Sequence, residues 1–306
     1  MHTTHKRNRN IHTFKRPQAM GLAYKVCRGE TAWEVIEAVQ AVLETLPKEG
    51  PGHTWYKWGK RVLDYMKGET DKNPFQIIKA DGNKKVPFFC WSVLPVYMCP
   101  GKGDCAKWCY SLGSWRHAAA YWRQVQNTFL IRFYPERVVD AFYAMPDGAD
   151  FRLYVDGDFH DDWAVDFWFK LLRSRPDIKC YGYSKSWDEL FRYPGKYPDN
   201  YLLNVSNGGR ERFVTLAELM TLPIVRGKFI AVDIPESVTK GLTMEEKFAS
   251  KAYHDAVRQA GRDLGLKKTL SCKGFCGSCV KDEDGNNSHA CGDRRFVGIN
   301  ILIGKH

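Results

Sequence analysis

Ten cysteines, seven of them gathered into two short stretches, constrain this chain more than any other feature. Cys99, Cys105 and Cys109 are spaced C-x5-C-x3-C in a glycine-rich run, and Cys272, Cys276 and Cys279 are spaced C-x3-C-x2-C, with Cys291 twelve residues further on. The basic N-terminus has no apolar run behind it, so no export signal is expected, and nothing approaches the ~18 apolar residues of a spanning helix. The expected location is the cytoplasm, with no membrane partner. Disulfides are disfavoured there, and metal ligation or catalysis is the default role for clustered thiols.

The two stretches call for different chemistry. Three thiolates in one loop hold three corners of a [4Fe–4S] cluster and leave one iron open to a substrate or cofactor. A zinc ion completed by a distant ligand such as His117 is the competing reading. Four thiolates from Cys272, Cys276, Cys279 and Cys291 make a closed set, suited to a structural zinc or to a second cluster in electron transfer, which implies a redox partner. Cys27, Cys90 and Cys180 sit in apolar or isolated settings and read as structural.

At 306 residues, 44% hydrophobic and 26% charged, the chain has an ordinary globular composition with enough length for one large or two small domains. Residues 1–30 read as poorly structured. A helix is expected from Thr31, with Thr31 as its cap and apolar residues at helical spacing to Leu46, and a second over Trp55–Met66. The body then alternates short apolar strands with helices: strands at Phe151–Val155, Ile178–Tyr183, Tyr201–Val205 and Phe229–Val232, and a long helix at Met244–Arg262. Further strands are expected at 268–271 and 296–303. Buried strands alternating with helices predict a parallel α/β sheet. The fold class expected is α/β, a partial or irregular (β/α) barrel. The units are a basic tail and helical extension at 1–72, the barrel-like catalytic domain at 73–265 and a Cys-rich metal-binding segment at 266–306. No G-x-G-x-x-G follows a strand, and no Walker A motif is present.

In parallel α/β folds the C-terminal strand ends build the site. Here one strand runs into Asp156-Gly157-Asp158-Phe159-His160-Asp161-Asp162, the next into Ser184-Lys185-Ser186, and later ones into Ser206-Asn207-Gly208-Gly209-Arg210 and Asp233-Ile234-Pro235-Glu236. Turn chemistry and capping account for Asp161 or Asp162 but not for all four aspartates. A polar pocket is predicted, with Asp156, Asp158 and Lys185 as catalytic candidates.

Lys and Arg number 46 against 35 Asp and Glu, a net charge of +11. Lys6, Arg7, Arg9, Lys15, Arg16, Lys25 and Arg28 all precede the first acid, Glu30. Lys6, Arg7, Arg9, Lys15 and Arg16 form either a solvated tail or an arm that binds nucleic acid by releasing counterions. Two aromatic–cation stretches, His53–Arg61 and Trp115–Arg123, suit base stacking or, equally, a core ringed by snorkelling cations.

Several segments together resemble the phage "gene product 88" domain family: Phe88–Tyr110 with its Ser-x-Leu-Pro and cysteine pattern, Val155–Phe159, Tyr181–Ser186, Val205–Gly209 and the C-terminal cysteines. The resemblance spans roughly residues 75–300 and implies carriage by a phage or related mobile element, in the host cytoplasm. More distantly, a cysteine loop after a first strand and a Gly-acid segment after a second resemble radical-SAM barrels. That resemblance implies that Cys99, Cys105 and Cys109 ligate the cluster, and that Asp156-Gly157-Asp158 stands where the amine of S-adenosylmethionine is bound.

Three functions follow as expectations. The first is an iron–sulfur enzyme acting on nucleic acid or a nucleotide, with radical-SAM-like chemistry. The second is a zinc-containing DNA or tRNA base transglycosylase, with Asp158 or Asp233 as nucleophile and Cys272, Cys276, Cys279 and Cys291 on zinc. The third is a non-enzymatic nucleic-acid-binding protein with structural metals.

Overall fold

A computed structural model describes residues 16–80, 86–281, 284–285 and 287–305. Three helices come first: α1 (Arg16–Arg28), α2 (Ala32–Glu44) and α3 (His53–Met66). The expected cap is in place, with Thr31 Oγ1 accepting from the Glu34 N–H at 3.2 Å. Strand β1 (Phe89–Cys90) follows, then α4 (Ala118–Phe133), α5 (Pro135–Tyr143), β2 (Asp150–Leu153), α6 (Asp162–Ser174), β3 (Lys179–Ser184), α7 (Trp187–Phe191) and β4 (Tyr201–Ser206). The chain continues through α8 (Leu216–Leu219), β5 (Val225–Val232), α9 (Met244–Ala249), α10 (Lys251–Asp263), β6 (Thr269–Ser271), the short antiparallel pair β7 (Val280–Lys281) and β8 (Asn287–Ser288), and β9 (Asn300–Gly304).

The expected α/β class holds. Seven strands form one sheet in the order β1-β2-β3-β4-β5-β9-β6, every pair parallel. The sheet runs open between β1 and β6 rather than closing on itself. Only the last strand breaks sequence order, sliding between β5 and β6. Every residue of β4 is buried, as expected of a central parallel strand covered on both faces.

The two faces are covered by different things. Phe151, Leu153, Cys180, Tyr201, Leu203 and Val205 join the main core with α4 and α6. Their neighbours along the strands, Tyr181, Leu202 and Ile301, pack instead with Phe88, Ala290 and Cys291. Period-two alternation makes that division. The inner face therefore carries the C-terminal cysteine segment, with Cys272, Cys276 and Cys279 packed against the same cluster. Two polar residues bolt the segment down. Asn204 donates to the Cys291 carbonyl at 3.0 Å, and the fully buried Arg226 binds Asn204 Oδ1 at 2.6 Å and the Phe296 and Ile299 carbonyls at 3.1 and 2.6 Å.

Several expectations need correction. Residues 16–28 are not a loose tail: α1 buries Ala19, Leu22, Ala23, Val26 and Cys27 in the main core, which runs without a break from α1 through α6. The long helix expected over 244–262 is two, broken where Ser250 leaves helical geometry and caps α10 through the Tyr253 N–H. The first strand, which precedes the cysteine loop, is only two residues long. Among the described residues, no helix is long and apolar enough to cross a membrane.

Candidate functional site

The C-terminal ends of the parallel strands open into one cavity of about 360 Å³, and all seven clustered cysteines line it. Sequence separation made the two stretches look like separate sites. The open sheet brings them together, because the segment carrying Cys272, Cys276, Cys279 and Cys291 lies on the inner face while the loop carrying Cys99, Cys105 and Cys109 covers the strand ends.

The first loop is held by backbone contacts. Gly103 N–H and Cys105 N–H both point at the Gly208 carbonyl, at 3.2 and 3.5 Å, and Arg210 N–H donates to the Gly101 carbonyl at 2.8 Å. Gly101 lies against the β3 end so closely that an added Cβ would sit 1.6 Å from the Lys185 carbonyl oxygen. Gly157, which also lines the cavity, has φ +82° and room for no side chain, since a Cβ would meet Val93 Cγ2 at 2.2 Å. Two further lining residues, Val96 and Tyr154, hold positive φ (70° and 56°) without being glycine. Such backbone costs about 1–3 kcal/mol each and concentrates at functional sites.

Asp158 lines the cavity as a latch. Its Oδ1 accepts from Ser184 Oγ at 2.7 Å and the Phe159 N–H at 2.9 Å, and its Oδ2 from the Lys185 N–H at 2.7 Å. Burial pushes its carboxyl above the ordinary range, against the pull of these donors and the Lys185 charge. Asp158 thus ties the β2 end to the β3 end and aims Lys185, which lines the cavity. Asp156 is not among the lining residues. It is buried, with Oδ2 accepting from Gln124 Nε2 at 2.9 Å, and burial raises its carboxyl too. Asp233, the other nucleophile considered, is on the surface and paired with Lys305 at 2.7 Å.

All ten cysteines are free thiols. Burial pushes Cys99 well up, helped by the nearby Asp158 charge, and raises Cys109 and Cys279. It pushes Cys272 up to about 12 and Cys291 higher still. Buried thiols ionise only where a cation repays the lost hydration. The sulfurs are nevertheless placed as acceptors. Gly274 N–H reaches Cys272 Sγ at 3.4 Å and Ala290 N–H reaches Cys279 Sγ at 3.4 Å. Such N–H···S contacts suit a metal-bound thiolate. The donor set therefore fits a thiophilic metal. Its spacing is wider: among the described residues no three His, Cys, Asp or Glu side chains are gathered closely enough to hold a metal ion.

The remaining candidates fall elsewhere. Arg16 opens α1 and is exposed, while Lys6, Arg7, Arg9 and Lys15 lie outside the described residues. In the aromatic–cation stretches, Trp55, Trp115, Tyr121 and Trp122 are core, with Trp115 edge-on to Tyr121 and Trp55 tilted against it. Sequence reading missed Arg152 and His289 as cavity residues. The signal available was an arginine inside an otherwise apolar strand and a histidine beside Cys291.

No curated protein matches the chain, and no solved structure does. The likeness to radical-SAM barrels finds no support in these comparisons. The family model described as "Gene product 88" matches residues 67–291, which takes in the first cysteine loop, every strand end from β1 to β6 and the last cysteine. The chain belongs to the phage gene product 88 family.

Proposed function

We propose that this protein is a thiolate-ligated iron–sulfur enzyme that acts on a nucleotide or nucleic acid at the C-terminal mouth of its sheet. The observation that carries the reading is the convergence of seven cysteines, from stretches far apart in the chain, on the wall of one cavity. Chance burial of structural thiols does not line a single cavity at strand ends with seven of them. Holding a cluster requires the sulfurs of each stretch to draw together, a movement that metal binding drives because ligation and local folding are coupled. Cys99, Cys105 and Cys109 would hold the substrate-side cluster with one iron open, and Cys272, Cys276, Cys279 and Cys291 a second cluster or zinc. A cluster supplies one-electron chemistry, and the open iron is where S-adenosylmethionine would be tested as co-substrate.

This chain's own residues would do the rest. Lys185, aimed by Asp158, presents a cation to an anionic substrate, and Lys102 does so from the cysteine loop. The net charge of +11 favours a polyanionic partner. The decisive experiment is anaerobic purification and reconstitution, with iron, sulfide and zinc measured on the full chain and on variants with each cysteine stretch changed to alanine. The expected result is a brown protein with thiolate–iron charge-transfer absorption that loses a separate share of metal in each variant. A colourless protein without iron after reconstitution overturns the reading.

A further inference from the structure

Two arginines of the sheet, the buried Arg226 and the half-buried Arg152, behave oppositely. Arg226 spends its guanidinium on Asn204 and three carbonyls. Arg152 lines the cavity, makes no ion pair with a carboxylate among the described residues, and leaves Nε buried without a hydrogen-bond partner. Its guanidinium lies 4.7 Å from the centre of the Tyr183 ring, and its one polar contact among the described residues is a long 3.9 Å approach to Cys276 Sγ. A guanidinium cannot shed its charge by deprotonating, so its burial calls for an acceptor.

The acceptor's neighbours are also unfilled. His289 lines the same cavity at 6% exposure, and neither ring nitrogen has a hydrogen-bond partner. Its Nε2 lies 3.8 Å from Asp150 Oδ1, too long for a hydrogen bond, and Asp150 stands two residues before Arg152 on the same face of β2. Tyr181, which pairs with Arg152 across β2 and β3, packs its ring 4.6 Å from that of His289 at a tilt of 53° and has a hydroxyl that is likewise buried and unpartnered. Each such atom costs about 1–3 kcal/mol if nothing meets it. Four in one patch, three of them on residues facing the cavity, mark a place built for a ligand.

We propose that Arg152 and His289 form an oxyanion-binding subsite on the inner sheet face, taking a phosphate or carboxylate group of a small molecule held in the cavity. Arg152 offers a planar fork matched to two oxygens, with Tyr183 beneath it fixing the plane. His289 offers a further ring N–H. The cavity, at about 360 Å³, admits a molecule the size of a nucleotide. This subsite names the anionic end of the substrate in the function proposed above, yet it rests on contacts of its own and is tested whether or not metal is bound.

The test is titration calorimetry on the full chain, isolated anaerobically, with two matched pairs of probes: AMP against adenosine, and benzoate against benzamide. Iron and zinc are assayed on every sample, so failure of the metal reading is seen separately. The expected result is saturable binding of the charged member of at least one pair, with the neutral member weaker by about tenfold or more. The pair that responds separates phosphate from carboxylate. Arg152→Gln abolishes the preference for the charged member, Arg152→Lys restores part of it, and His289→Gln weakens it without changing the neutral probe. Equal binding of charged and neutral probes, or no binding of any, overturns the proposal. So does an unchanged preference in folded Arg152→Gln and His289→Gln protein. If those variants lose metal instead, the donors belong to the thiolates.

Discussion

At the residue scale, the candidate site depends on a few positions where the backbone has no freedom. Gly101 is the sharpest case, because any side chain there runs into the Lys185 carbonyl. Gly101→Ala is expected to cost about 2 kcal/mol as overpacking and to loosen the loop that carries Cys99, Cys105 and Cys109. Urea unfolding and bound-metal analysis check both effects, and unchanged values in both contradict the account of the loop. Asp156 makes a prediction in pH. Burial is the largest cause of its raised carboxyl, so the native state holds this proton more tightly than the unfolded chain does. Its contribution to stability is therefore greatest below the unfolded value near 3.8 and declines as pH rises through the higher native value. Asp156→Asn keeps an acceptor for Gln124 and removes that decline. The urea midpoint of the variant should fall less than that of the unaltered protein between about pH 4 and 7. Asp156 and Asp158 were both legible as unusual carboxylates at a strand end. That one is a latch and the other faces Gln124 was not, because it depends on donors contributed by β3 and α4.

At the element scale, α1 is the clearest departure from the sequence reading. Its low overall hydrophobicity and seven preceding or included cations hide a real apolar stripe. Ala19, Leu22, Ala23, Val26 and Cys27 recur at three- and four-residue steps and are buried. Tertiary hydrogen bonds add to this, with Tyr121 OH donating to the Ala19 carbonyl at 2.8 Å and Arg132 to the Val26 and Gly29 carbonyls at 2.6 and 2.7 Å. Deleting residues 1–15 should leave thermal stability nearly unchanged, whereas deleting 1–28 should cost at least about 3 kcal/mol through lost burial. Equal melting temperatures for the two truncations contradict this. Only the shorter deletion tests whether Lys6, Arg7, Arg9 and Lys15 contribute to the salt-dependent nucleic-acid binding proposed for them. Elsewhere the elements were well marked: the strands expected at Ile178–Tyr183 and Tyr201–Val205 appear as β3 and β4, and Asp161 caps α6 by accepting from the Ala164 N–H at 2.8 Å. Local capping and periodicity are written in neighbouring residues, so they can be read from them.

At the scale of the whole molecule, what stayed hidden was which face the last fifty residues would cover. Strand alternation predicted a parallel sheet, but nothing local says that β9 enters between β5 and β6, or that Cys291 is tied to Asn204 from the far side of the sequence. Those contacts join residues 31 to 87 positions apart, and no spacing rule reaches them. The insertion of β9 also decides how this edge of the sheet holds together. Among the described residues β6 pairs only with β9, and β9 alone joins it to β5. The cysteine segment leaves the end of β6 with the Cys272 N–H bonded to the Leu302 carbonyl of β9 at 2.7 Å. β9 is therefore the keystone of the wall: loosening this one strand would cut β6, and the start of the thiol segment with it, away from the rest of the sheet.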